Sequence, residues 1–237
     1  MPTILRTQRA SMVAIAAAVA SAVVLSACGG SGAPVDRAAA DPTASGCVGA
    51  RTATSQEWVR PLEPAPSPDL PVTVTDVTGQ SITISDTSRV LALDTYGTLG
   101  TTVYALGLGD RLVGRDVSTG VPALVDLPVV TANGHELQAE AILDLDPSVI
   151  LTDYSIGPLE VQMQLKDAGI PVVILDDHRA RDTIGEQIRA VAHALGVDAA
   201  GDAVASRVER EISAAETQVS EMANASPLKG KIGRAHV

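Results

Sequence analysis

The chain has 237 residues and a net charge of −11, with no Phe, one Trp and three Tyr. A chain this acidic lacks the basic face that a phosphate backbone requires, which excludes nucleic acid as a partner. The charge serves solubility, and a flat ligand must be held by aliphatic side chains and the few tyrosines.

Arg6 and Arg9 precede an apolar run from Met12 to Leu25, which closes on Leu-Ser-Ala-Cys at residues 25–28 and then two glycines. A basic start, a short apolar segment and small residues at the cut make residues 1–27 a secretory signal peptide. The run is too short for a comfortable membrane span. The same four residues fit the lipobox, so Cys28 is expected to carry a two-chain lipid, which anchors stably where one chain does not. The expected location is the extracytoplasmic side of the cell membrane. Cys47 is the only other cysteine, so no disulfide framework can be read.

Residues 28–69 are rich in small residues and proline and bury too little apolar surface to offset ordering entropy, so they read as a tether. The folded part opens at residues 72–85 with two alternating segments around a Gly-containing turn, a hairpin pattern. A β–α rhythm follows. Strands are expected at 89–94, 111–116, 127–130, 148–153 and 170–177, and helices at 97–110, 135–145, 158–169 and 182–196. Alternation of this size predicts an α/β lobe over residues 70–197, with a parallel sheet and helices on both faces. From Asp198, apolar residues Ala203, Val204, Val208, Ile212, Ala215, Val219 and Met222 recur every three or four positions, which predicts one long helix over 198–225. The end at 226–237 is expected to be cut short. Residues 232–237, IGRAHV, have no element or cap logic and resemble the conceptual translation of a sequencing adapter.

In open α/β sheets ligands bind beyond the carboxyl ends of the strands. The candidates there are Asp94, Tyr96, Arg115, Asp116, His135, Asp153, Tyr154, Asp177 and His178. Asp94, Asp153 and Asp177 read first as caps or turn residues, because a carboxylate accepts the open N–H groups of a helix start. His193, inside a helix pattern, reads as packed or surface. Gly107–Asp110 follows a helix and lacks the third glycine of a nucleotide loop, so it is a helix stop. No serine elbow, CxxC or HExxH is present, and no catalysis or catalytic cofactor is expected. His135 follows the turn Thr-Ala-Asn-Gly and falls at the expected start of helix 135–145, where the macrodipole favours the neutral ring that a metal needs. One histidine cannot build a zinc site, but it can serve as an axial ligand to an iron already held by a porphyrin. The residues by themselves leave haem, or no ligand at all.

Four stretches, TDVTGQSITISDTSRVLALD, VYALGLGDRLVGRD, NGHELQAEAILDLDPSVILTD and LKDAGIPVVILDD, occur in that order. They resemble the binding proteins of iron-siderophore, haem and cobalamin importers, and most closely the haemin-binding lipoproteins of actinobacterial haem ABC importers. The resemblance runs over about residues 70 to 230. It implies two α/β lobes joined by a rigid helix, here 198–225, with the second lobe missing from this chain. It implies haem as transported ligand, an ABC permease and its ATPase as partners, and the membrane as a partner through the lipid. His135 stands where the haem branch places the iron ligand of the first lobe. The opposite ligand, usually a tyrosine of the second lobe, has no counterpart here. Tyr96, Arg115 and Tyr154 are the expected further haem contacts. The scarcity of aromatics departs from a typical haem cleft. A ferric-siderophore or corrinoid receptor is the alternative on the same scaffold, and an exported α/β hydrolase the alternative from another class.

Overall fold

The structure, a computed structural model, describes residues 59–225. The signal segment, Cys28, Cys47, Trp58 and the tail from residue 226 lie outside the described residues. In chain order, β1 (Val72–Thr75) and β2 (Ser81–Ile84) form the antiparallel hairpin that their alternation predicts. β3 (Val90–Leu93) leads into α1 (Thr98–Val103), which continues through a wider π-helical turn, Tyr104–Leu108. Next come β4 (Thr131–Ala132), β5 (Glu136–Leu137) and α2 (Ala139–Asp144). β6 (Val149–Thr152), α3 (Leu159–Asp167), β7 (Val172–Ile174), α4 (Ile184–Ala194) and α5 (Asp198–Ala225) complete the chain.

β3, β6 and β7 pair in parallel, with β6 in the middle. The expected strands at 111–116 and 127–130 are present only as single parallel bridges, Val90 to Leu112 and Arg115 to Val129. They still extend the sheet beyond β3. The spatial order is therefore Val129, Leu112–Arg115, β3, β6, β7, and the winding direction reverses between β3 and β6. That gap is the topological switch point, where the loops beyond the strands diverge and leave a crevice.

Side chains of successive strand residues point to opposite faces, and the core divides accordingly. Val90, Ala92, Val149, Leu151 and Val173 pack with α1, α4 and α5, through residues such as Val103, Ile188, Val191 and Val204. Leu91, Leu93, Ile150 and Val172 pack on the other face with Ile142 of α2 and Leu165 of α3. Each such Val, Leu or Ile side chain contributes about 1.5–3 kcal/mol of transfer free energy when fully buried. Burial on both faces explains why these strands read as unbroken apolar runs.

The proline-rich stretch before β1 lies along the lobe over its described part. The Leu62 N–H donates to Ala105 O at 3.0 Å and the Asp69 N–H to Gly196 O at 2.8 Å. Gly107 and Gly196 have φ of 83° and 69°. A Cβ at either would meet the Leu62 or Asp69 carbonyl at 2.6 Å, so both helix ends are shaped to let this segment pass. Composition alone reads as a tether to Asp69, and over its described part the segment is bonded to the lobe through the carbonyls of Ala105 and Gly196.

At 28 residues α5 is about 42 Å long. Its first half packs on α4 through Ala200, Val204, Ala205 and Val208, and Arg189 pairs with Asp202 at 2.9 Å. Its second half projects with Val219 and Met222 exposed.

Candidate functional site

Asp94 and Asp153 end the two strands that flank the switch point, and both are fully buried. Asp94 accepts the N–H groups of Leu99 at 2.9 Å, Thr98 at 3.2 Å and Tyr96 at 3.3 Å, and the Thr98 hydroxyl at 2.6 Å. Asp153 accepts the Ser155 N–H at 2.8 Å. Asp94 thus takes the first N–H groups of α1, and Asp153 serves as a turn residue, since α3 begins only at Leu159. Asp177 is exposed, and the neighbouring Asp176 accepts the His178 N–H at 2.8 Å.

Capping leaves two buried carboxylates on adjacent strands, which needs a cation. Arg179, from the β7–α4 loop, supplies it. One Nη2 donates to Asp94 Oδ2 at 2.9 Å and also to Asp153 Oδ2. Nε donates to Thr98 Oγ1 at 2.9 Å and Nη1 to the Asp177 carbonyl at 3.1 Å. The guanidinium also lies 4.9 Å from the centroid of the Tyr96 ring. Burial works against its charge, but Asp153 and then Asp94 hold its pKa above the ordinary arginine value. Sequence reasoning stopped one residue short, at His178. The signal that finds Arg179 is the need of two strand-end aspartates for a counter-charge, which the period pattern alone does not express.

Asp116 adds a third buried carboxyl beside them. Its oxygens accept the Thr119 N–H at 2.7 Å and the Asp94 N–H at 3.3 Å. Burial first, and the charge of Asp94 after these hydrogen bonds, hold it above the usual carboxylate range. The loops are also clasped directly. The Thr95 N–H donates to Ser155 Oγ at 3.1 Å, the Thr95 hydroxyl donates to the Ser155 carbonyl, and Ser118 Oγ donates to Thr95 O at 2.6 Å. On this fixed base Tyr96 and Tyr154 stand 63% and 50% exposed, one beyond each strand.

His135 is placed differently from expectation. The helix begins at Ala139, and His135 belongs to the loop of the β4–β5 hairpin. Asn133 and Gly134, with φ of 48° and 87°, turn the chain, and Glu136 and Leu137 pair back onto Ala132 and Thr131. The burial of Leu137 fixes that pairing and delays the helix. His135 therefore stands outside the reach of the α2 macrodipole, whose field falls off within the first turn. What remains is placement. The hairpin follows Val129 at the carboxyl end of its strand, and it bonds to the β6–α3 loop through Leu137 N–H to Gly157 O (2.6 Å) and Gly157 N–H to His135 O (3.1 Å). The imidazole is exposed, and among the described residues no hydrogen bond or ion pair engages it.

The Arg115 guanidinium turns into its own loop, donating to the carbonyls of Asp116 at 3.2 Å and Val125 at 3.2 Å. His178 is exposed beside Tyr96, Asp177 and Arg179 in an open recess of about 540 Å³. A more apolar groove of about 560 Å³ runs from Tyr96 between α1, α4 and α5. His193 pairs with Asp198 at 3.0 Å on the surface, away from these groups. Among the described residues no three His, Cys, Asp or Glu side chains are grouped to hold a metal ion by themselves. The strand-end face thus offers one unengaged imidazole, two exposed phenols and a compensated arginine.

Known proteins share this architecture. The periplasmic binding protein family model matches residues 95–229. The solved heme binding protein HmuT is 43% identical, with a TM-score of 0.69, over 71% of this chain and 55% of that one. Variants of HmuT in which a histidine, a tyrosine or an arginine is replaced by alanine have also been solved. The periplasmic heme-binding protein RhuT from Roseiflexus sp. RS-1 is 33% identical, with a TM-score of 0.52, over 60% of this chain and 52% of that one. The uncharacterized ABC transporter substrate-binding lipoprotein YvrC of Bacillus subtilis (strain 168) is 28% identical over 145 residues, 60% of this chain and 45% of that protein. The chain spans about half the length of these relatives.

Proposed function

Since the chain belongs to the periplasmic binding protein family, we propose that it captures haem outside the membrane and delivers it to an ABC permease and its ATPase for iron acquisition. Members of this family are substrate-binding proteins, and haem here is cargo rather than a catalytic cofactor. His135 coordinates the ferric iron, and Tyr96, Tyr154 and Arg115 border the porphyrin. The lipid on Cys28 keeps the protein at the outer face of the membrane.

The observation that carries this reading is the exposed, unengaged His135 beyond the strand ends, in a chain 43% identical to a heme binding protein. A porphyrin already fills the equatorial positions of its iron, so one imidazole from this lobe is enough to make a coordinate bond. The tyrosines offer flat apolar faces with a polar tip. Haem needs no further metal-ligand cluster from this lobe.

Spectrophotometric haemin titration of the purified chain and of His135→Ala tests the ligand. The expected result is at least about a tenfold loss of affinity, roughly 1.4 kcal/mol, with a displaced Soret band. An unchanged band position and affinity would remove His135 from the site. A parallel titration with a ferric siderophore separates the cargo classes, since tight siderophore binding without haemin binding would replace the haem reading. Cys28→Ser is expected to release the protein from the membrane fraction.

A further inference from the structure

We infer that Arg179 is the positioning residue of the ligand face, a clamp that fixes the loops carrying Tyr96 and Tyr154. The inference concerns the geometry of the unliganded lobe, and only its consequence for affinity rests on the haem reading.

Asp94 precedes Tyr96 by two residues and Asp153 immediately precedes Tyr154, so each carboxylate sits at the root of one tyrosine-bearing loop. A single Nη2 joins both carboxylates, whose side chains are fully buried, while the arginine side chain is 18% exposed. The same guanidinium reaches Thr98 Oγ1 at 2.9 Å and lies 4.9 Å from the Tyr96 ring centroid. It therefore touches the strand end, the helix start and the aromatic ring together. With both carboxylates, Thr98 and the Asp177 carbonyl as acceptors, four of its five N–H groups are committed. It acts on a ligand through the tyrosines. Lysine is no substitute, because one ammonium on a flexible stem lacks the planar fork that spans two carboxylates and lies against a ring.

The test uses amide hydrogen exchange on the 237-residue chain without ligand. In Arg179→Lys, the N–H groups of Tyr96, Thr98, Leu99 and Ser155 are expected to exchange about tenfold faster, while the amides of β3 and β6 keep their wild-type rates. Wild-type protection of those four amides in the lysine variant overturns the inference. Should Arg179→Lys not fold, the double variant Arg179→Lys, Asp153→Asn sets one ammonium against one carboxylate, keeps Asp94 and the Oδ1 of residue 153 as acceptors of the four monitored N–H groups, and is read in the same way. A second arm measures haemin affinity in Arg179→Lys, in the pair Tyr96→Leu, Tyr154→Leu, and in all three changes combined. Action through the two tyrosines predicts that the combined variant loses no more than the larger of the two separate losses, whereas additive losses overturn it. If the wild-type chain binds no haemin, the haem reading falls and the exchange arm alone decides the inference.

Discussion

Tyr96 and Tyr154 rise from loops rooted in buried charge, whereas His135 rides on a hairpin of two-residue strands held by backbone bonds, one buried leucine and two neutral or exposed side-chain bonds, Asn133 Nδ2 to Glu136 Oε2 at 2.7 Å and the Val117 N–H to Thr131 Oγ1 at 3.1 Å. The first region is over-determined. Caps, a bridging arginine and a hydroxyl clasp all specify the same geometry. The second has an exposed tip with no side-chain support at the imidazole. Under the haem proposal, this arrangement sets the two tyrosines on a multiply bonded base and leaves the cost of ordering the iron ligand to the smaller element.

The contrast yields a graded series of outcomes. Arg179→Met strands two buried carboxylates and is expected to cost about 3–5 kcal/mol in urea unfolding. A loss under about 1 kcal/mol would mean that the platform does not depend on its clamp. Leu137→Ala removes the leucine that anchors the hairpin and should cost about 2–4 kcal/mol by the same measurement. Gly134→Ala meets nothing within 4 Å, so its cost is that of a left-handed backbone, about 1–2 kcal/mol. A larger loss there would show the hairpin to be as constrained as the platform.

Asp116 gives a pH signature confined to the platform. Its folded pKa is raised, so between the ordinary carboxylate value and that raised value the native state binds the proton more tightly than the unfolded chain. Stability contributed at this position therefore falls as pH rises through that window. Asp116→Asn cannot titrate, so the stability of the variant relative to wild type should improve from pH 4 toward pH 7. A difference that is flat across this range contradicts the raised value. His135→Ala closes the series, with a stability change under about 0.5 kcal/mol in the same unfolding assay despite its expected effect on haemin.

Much of the lobe was legible in the chain. Apolar runs such as 90–93 and 149–152 are too short for helices and buried on both faces, and the Gly stops at 169 and 196 closed α3 and α4 where expected. Legibility failed where tertiary contacts outweigh local preference. The segment Glu136–Gln138 carries a helical period, yet pairing with Thr131, Ala132 and Gly157 holds it extended. Residues 59–69 look like a linker by composition, and the carbonyls of Ala105 and Gly196 order them. The strand-end carboxylates were visible as caps or turn residues. Their shared partner was not, because a salt bridge between residues 85 and 26 positions apart leaves no periodic trace.

Hydrophobic period, turn chemistry and strand-end polarity, all carried by neighbours in sequence, determined the α/β alternation, the long α5 and the candidate list headed by His135. Only the packed lobe decided which candidates share a base, that His135 sits on a hairpin rather than a helix, and that Arg179 joins Asp94 to Asp153. The reason is range. Propensity and period act over a few residues, while a buried charge finds its counter-ion wherever folding brings one within reach.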